Sequence, residues 1–153
     1  VTDARRLSVE SRELASRSQP AVTRTAAPAN GPRVLVVDDD ELIRDALRLL
    51  LEELGAGVTE AADGREALER LEAGSFDLVL CDLRMPEVDG FAVIRRIRGD
   101  RRWRDLPVVA VTAVGPGAGP DRVREAGFDA QLHKPFDLND LVDALDSADR
   151  RAA

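Results

Sequence analysis

Lysine is almost missing from this chain: of 22 basic residues, only Lys134 is not an arginine. Where arginine meets every other need for positive charge, a lone lysine marks a place that wants a compact ammonium on a flexible stem rather than a planar fork. Such a point charge suits a phosphate or clustered carboxylates. Cysteine is equally scarce, and Cys81 alone cannot form an internal disulfide. That fits a reducing cytosol, so a cytoplasmic location is expected. No apolar run approaches the roughly 20 residues a bilayer span needs, so no membrane insertion is expected. No apolar stretch follows the polar, arginine-bearing N-terminus, so no secretory signal is expected. Positive charge as a whole is in deficit, with a net charge of -7. Residues 1–32 carry five Arg against Asp3, Glu10 and Glu13, net +2, which leaves the remainder at -9. An acidic body of this kind binds nucleic acid poorly, and no direct nucleic-acid binding is expected.

What is present fits one ordinary domain, since 153 residues with 44% apolar content can fill a real core. The leading segment is rich in Ser, Ala, Thr and Arg and ends in Pro28-Ala29-Asn30-Gly31-Pro32, the punctuation of a linker. A short helix over Ala4 to Ala15 would bury little beyond Leu7, Val9 and Leu14, so residues 1–32 read as a disordered tail or connector. The first residue is Val rather than Met, from which a fragment or an alternative start is expected.

From Arg33 the pattern alternates. Apolar runs at Val34 to Val37, Phe76 to Cys81 and Val108 to Val111, with weaker ones near Val58 and over Ala130 to Leu132, have the character of strands buried on both faces. Helical spacing separates them. Ile43, Ala46, Leu47, Leu50 and Leu54 precede Gly55; Ala67, Leu68 and Leu71 precede Gly74; Phe91, Ile94 and Ile97 precede Gly99. A last helix carries Leu138, Leu141, Val142 and Leu145, with Asp137 as its N-cap. Strict alternation predicts an α/β fold, a parallel sheet with right-handed crossovers and helices on both faces.

Ligands of open α/β sheets bind outside the carboxyl ends of the strands, near the point where strand order reverses. Asp38, Asp39, Asp82, Thr112 and Lys134 each fall at that end of their strand. Two adjacent carboxylates and a third from another strand make a hard oxygen site suited to Mg²⁺, which keeps several waters and accepts phosphate oxygens. An aspartate can itself attack phosphorus to give an acyl phosphate. Metal, ammonium and hydroxyl would balance the charge on the transferring oxygens, with Lys134 as the cation and Thr112 as the hydroxyl.

In the segments VLVVDDDELIRDAL, FDLVLCDLRMPEVDG, VVAVTA and HKPF the chain resembles a receiver domain of two-component response regulators, over about residues 33–149 with 150–153 as a tail. The resemblance implies a flavodoxin-like, doubly wound, five-stranded parallel sheet of order 2-1-3-4-5. It implies Asp82 as phosphoacceptor, Asp39 as a direct Mg²⁺ ligand, Asp38 as a ligand acting largely through water, and the backbone carbonyl of Arg84 as completing the protein's share. Thr112 would move toward the phosphoryl group and Lys134 would bind it, and the bond before Pro135 would be cis. The donor would be a histidine kinase or phosphotransfer protein. The domain would catalyse its own phosphorylation and dephosphorylation and turn over no metabolite, and no organic cofactor is implied.

Other residues have plainer expectations. Asp40 should cap the first helix. Cys81 should pack as a small buried hydrophobe. His133, one residue before Lys134 on a strand, should point to the other sheet face and serve packing or lie exposed. Arg95, Arg96, Arg98, Arg101, Arg102 and Arg104 around Trp103 should form a solvated basic loop at the opposite sheet edge. Two departures from the receiver pattern stand out: Gln131 replaces the aromatic expected three before the lysine, and Gly115-Pro116-Gly117-Ala118-Gly119-Pro120 stands where the fourth helix should begin. Gly and Pro cost helix stability, so this helix should be short, over Asp121 to Ala126, with switching partly an ordering of the loop. Arg84 and Val114 lie where the family tunes hydrolysis. Competing classes fit less well. An Asp-nucleophile phosphatase would carry an acid where Arg84 stands, and a nucleotide-binding enzyme would carry a Gly-rich loop where Asp38-Asp39-Asp40 stand. A DNA-binding regulator needs an effector domain beyond the four residues after Asp149. The competing reading is a receiver cut from a hybrid histidine kinase or larger DNA-binding regulator.

Overall fold

A computed structural model describes residues 31–113 and 119–152. The expected linker, except for Gly31 and Pro32, lies outside the described residues, as do Val114 and most of the Gly115 to Pro120 loop with its proposed ordering. Strands and helices alternate without exception: β1 Arg33–Val37, α1 Glu41–Glu53, β2 Gly57–Ala61, α2 Gly64–Ala73, β3 Leu78–Asp82, α3 Gly90–Arg98, β4 Val108–Ala113, α4 Pro120–Ala126, β5 Ala130–Lys134 and α5 Leu138–Ala152. The five strands form one parallel sheet of order β2-β1-β3-β4-β5, as expected.

Period-two alternation in the strands sorts the core into two layers. Leu35, Val37, Val79 and Cys81 face one side, where Ala67 and Leu71 of α2, Val93, Ile94 and Ile97 of α3 and Val123 of α4 cover them. Val34, Val36, Leu78 and Leu80 face the other, under Leu47 and Leu51 of α1 and Leu141 and Leu145 of α5. Cys81 is fully buried among apolar neighbours, in keeping with the hydrophobe reading.

Aspartates start most of the helices. Asp40, Asp63 and Asp89 accept from the backbone N–H groups of Leu42, Glu66 and Ala92 at 2.7–2.9 Å. Asp137 and Asp140 cap reciprocally: Asp140 N–H donates to Asp137 Oδ1 at 2.9 Å and Asp137 N–H to Asp140 Oδ2 at 3.0 Å. Among the described helices only α4 lacks a side-chain cap; it starts at Pro120 and spans 7 residues, close to the short helix its Gly/Pro prelude predicts.

Arg95, Arg96, Arg101, Arg102 and Arg104 are exposed, as expected, but Arg98 departs from expectation. Arg98 is no solvated side chain: it donates to the carbonyls of Leu106 at 2.7 Å and Gly127 at 2.8 Å and pairs with Asp129 Oδ2 at 2.8 Å. Asp129 in turn accepts from the N–H of Val108 at 2.9 Å. A planar fork can satisfy several fixed carbonyls at once, so one residue ties the end of α3 to the start of β4 and the loop after α4. Arg102 pairs with Glu72 at 2.6 Å and Asp100 at 2.7 Å and lies 4.3 Å over the Trp103 ring.

The carboxyl edge of β3 is set by a close approach. Gly90 opens α3 directly against the end of β3, donating its N–H to Leu83 O at 3.0 Å. A Cβ there would meet the Asp82 carbonyl oxygen and lie 2.8 Å from Leu83 Cα. Gly90→Ala is therefore expected to lower stability by about 1–3 kcal/mol through overpacking. Urea unfolding of the full chain checks this, and an unchanged midpoint would contradict the close approach.

Candidate functional site

β1 and β3 are neighbours, although β2 lies between them in sequence, so the strand order reverses at their shared edge. Val37 registers with Cys81, which puts Asp38 and Asp82 side by side at the carboxyl end. Carboxylate oxygens of Asp38, Asp39 and Asp82 lie within 4.8 Å of one another. Lys134 reaches in from β5, its Nζ 3.0 Å from Asp38 Oδ2 and 3.6 Å from Asp82 Oδ2. The Lys134-Pro135 peptide bond is cis, as expected.

Two of the three carboxylates face the one ammonium, and water screens that pair poorly, since Asp38 is 1% and Asp82 6% exposed, whereas Asp39 is exposed. Burial first, and then the neighbouring Asp38 carboxylate, push the Asp82 carboxyl up to about 6; Lys134 and the N–H of Arg84 oppose the shift. Burial works against charge on Lys134, but Asp38 and Asp82 outweigh it and the ammonium is held above its ordinary range. The Cys81 thiol is pushed up by burial and then by Asp82, so it stays protonated.

The donor set fits a hard divalent cation. Asp38 Oδ1 accepts from the N–H of Asp40 at 2.9 Å. Its Oδ2 is buried and ion-paired with the Lys134 ammonium at 3.0 Å, with no other polar partner among the described residues. A buried anionic oxygen with an open lone pair, flanked by two more carboxylates, is the ligand chemistry Mg²⁺ takes. Asp40 turns away to cap α1, as expected of it.

Thr112 lies at the expected end of its strand, and its hydroxyl is engaged with β5. It is buried on β4, and its Oγ1 lies 2.9 Å from His133 Nδ1, its register partner on β5. His133 is exposed, yet it is the partner of a buried hydroxyl. Sequence reasoning also missed Arg44. From α1 it donates to the Asp38 backbone carbonyl at 2.7 Å and pairs with Glu60 of β2 at 3.2 Å, which Arg48 also pairs with at 3.2 Å. The available signal was spacing: Arg44 falls four after Asp40, where one helical turn returns it to the β1–α1 loop.

A charge held against burial destabilises its fold. The folded value of about 6 lies above the ordinary 3.8, so native protein binds this proton more tightly than unfolded protein. The unfavourable contribution is full above about pH 6 and fades as pH falls through 6 toward 3.8. Asp82→Asn should therefore raise the thermal midpoint at neutral pH in metal-free buffer, with the gain shrinking on acidification through 6. A loss of stability at neutral pH, or a gain independent of pH, would contradict the electrostatics described.

Comparison with known proteins agrees with this geometry. The family model of the response regulator receiver domain matches residues 34–146. The chain is 38% identical over 130 residues to the transcriptional regulatory protein TcrA of Mycobacterium tuberculosis, covering 84% of this chain and 50% of that one. It spans about half the length of the first curated relatives it matches. Among solved structures it is similar to a putative response regulator from Chloroflexus aurantiacus, with TM-score 0.74 and 31% identity over 79% of this chain and 99% of that one. It is also similar to the receiver domain of a sensor histidine kinase from Pseudomonas aeruginosa, described with a magnesium ion coordinated in the active site cleft. That match has TM-score 0.67 and 32% identity over 75% of this chain and 94% of that one.

Proposed function

Because this chain belongs to the response regulator receiver family, we propose that Asp82 accepts a phosphoryl group from a histidine kinase or phosphotransfer protein in the cytoplasm. The observation that carries the reading is the cluster itself: three carboxylates, two of them paired with one ammonium, at the sheet edge where strand order reverses. Asp38, Asp39, Asp82 and the backbone carbonyl of Arg84 would hold Mg²⁺. When bound, the ion offsets their charge and that of the phosphoryl oxygens.

An ionised carboxylate oxygen of Asp82 bonds to phosphorus while the bond from phosphorus to the donor nitrogen breaks, and the donor imidazole leaves with that electron pair. The product is an acyl phosphate. Lys134, already 3.6 Å from Asp82 Oδ2, supplies a fixed positive charge beside the new dianion. Thr112 is the hydroxyl that would report the phosphoryl group. The chemistry acts on the domain itself and consumes no metabolite beyond the donor.

A second reading concerns the whole protein. The half-length match to relatives named as transcriptional regulators supports a receiver module within a larger regulator, with residues 1–32 as connector and 33–149 as receiver. The acidic receiver would then leave DNA contact to another part of such a protein.

Incubation of the full chain with a small phosphodonor and Mg²⁺ should add one phosphate-sized mass, absent in Asp82→Asn. An adduct that survives the substitution would contradict the assignment. Lys134→Arg should keep most Mg²⁺ binding but uncouple adduct formation from amide shifts in β4 and β5, because the fork changes reach and shape while keeping charge. Wild-type-like shifts in that variant would refute the role of the compact ammonium.

A further inference from the structure

Resting on the reading of Asp82 as phosphoacceptor, we propose that His133 is a positioning residue that holds the Thr112 hydroxyl away from the acidic cluster, so that phosphorylation proceeds through exchange of one hydrogen bond for another. Thr112 is 3% exposed, and a hydroxyl that buried needs a partner. Its partner is His133 Nδ1 at 2.9 Å. Parallel register sets Thr112 opposite His133 and Ala113 opposite Lys134. Period-two alternation therefore sends the imidazole and the ammonium to opposite faces of β5. Thr112 at the end of β4 stands between two demands, the ring nitrogen on its own face and whatever forms at Asp82.

A threonine hydroxyl has one proton. With the ring proton on exposed Nε2, Nδ1 accepts from Thr112, and the hydroxyl cannot donate to a phosphoryl oxygen at the same time. Phosphoryl oxygens only accept, so turning toward Asp82 breaks the bond to His133. The same face of β5 carries Gln131 two residues earlier, whose Nε2 donates to the Pro120 carbonyl at 3.4 Å at the start of α4. Position 131 thus ties β5 to α4, and position 133 ties it to Thr112. Position 131 carries no aromatic side chain, so the coupling there runs through a single polar contact, and at position 133 through one ring nitrogen.

Releasing a neutral hydrogen bond of this kind should change a rate by roughly two- to tenfold. Two readouts on the full chain test the inference. In the unphosphorylated protein, nitrogen-15 shifts of the imidazole should report Nδ1 as an acceptor, and Thr112→Val should move the Nδ1 resonance far more than Nε2. Under Mg²⁺ and a small phosphodonor, His133→Ala should form the Asp82 adduct faster by that factor. His133→Asn, whose side-chain oxygen can accept in place of Nδ1, should stay near the wild-type rate, and His133→Ala should have no effect in a Thr112→Val background. An unmoved Nδ1 resonance would overturn the latch, as would an unchanged or slower rate in His133→Ala, or an equal acceleration without Thr112. If wild type forms no adduct, the phosphoacceptor reading falls, and the nitrogen shifts alone decide the latch.

Discussion

Like charges brought together out of water are the constraint on which this molecule is arranged. Asp38 and Asp82 are nearly inaccessible and share one ammonium, and the exposed Asp39 adds a third carboxylate beside them. Such a cluster persists only where the surrounding fold over-determines it. That work falls to the β1–β3 pairing, to Arg44 holding the Asp38 carbonyl, to Asp40 capping α1, and to Gly90, which lets α3 close on the end of β3. β1 and β3 beneath the cluster are apolar on both faces, so they offer the charges nothing. The electrostatic imbalance is therefore confined to one rim, where a cation or a phosphoryl group can relieve it.

Lysine scarcity takes on a physical meaning in that setting. Arginines elsewhere serve as multi-point clamps, Arg98 on three segments and Arg102 across Glu72 and Asp100, tasks that suit a planar fork. At the acidic rim one nitrogen must stand between two carboxylates at 3.0 and 3.6 Å, which suits a point charge. The two cations divide the molecule between structure and chemistry.

Much of this was legible in the sequence because it is local. Apolar runs of strand length, helical spacing before Gly55 and Gly99, and aspartates at strand ends depend on near neighbours, and Asp40 and Asp137 cap as their positions predict. The shortness of α4 follows from glycine and proline chemistry. What escaped depends on contacts between distant segments or on a side-chain torsion. Arg98 finds Gly127 and Asp129 about 30 residues away, so a run of arginines looks solvated until α3 and β5 are packed together. Thr112 lies on the expected strand at the expected end, but a free rotation about one bond decides whether its hydroxyl serves the acidic rim or His133. The single histidine looked like filler for the same reason, since its partner is set by β4–β5 register.

The central claim is that the Asp38, Asp39 and Asp82 carboxylates form an electrostatically unbalanced site completed by a divalent cation. The thermal unfolding midpoint of the full chain at neutral pH, followed against Mg²⁺ concentration with ionic strength held constant by NaCl, tests it most directly. A ligand that binds only the native state raises the midpoint with its concentration. The account predicts such a rise in wild type and its loss in the Asp38→Asn, Asp82→Asn double variant. An equal rise in that variant, or none in wild type, would contradict it.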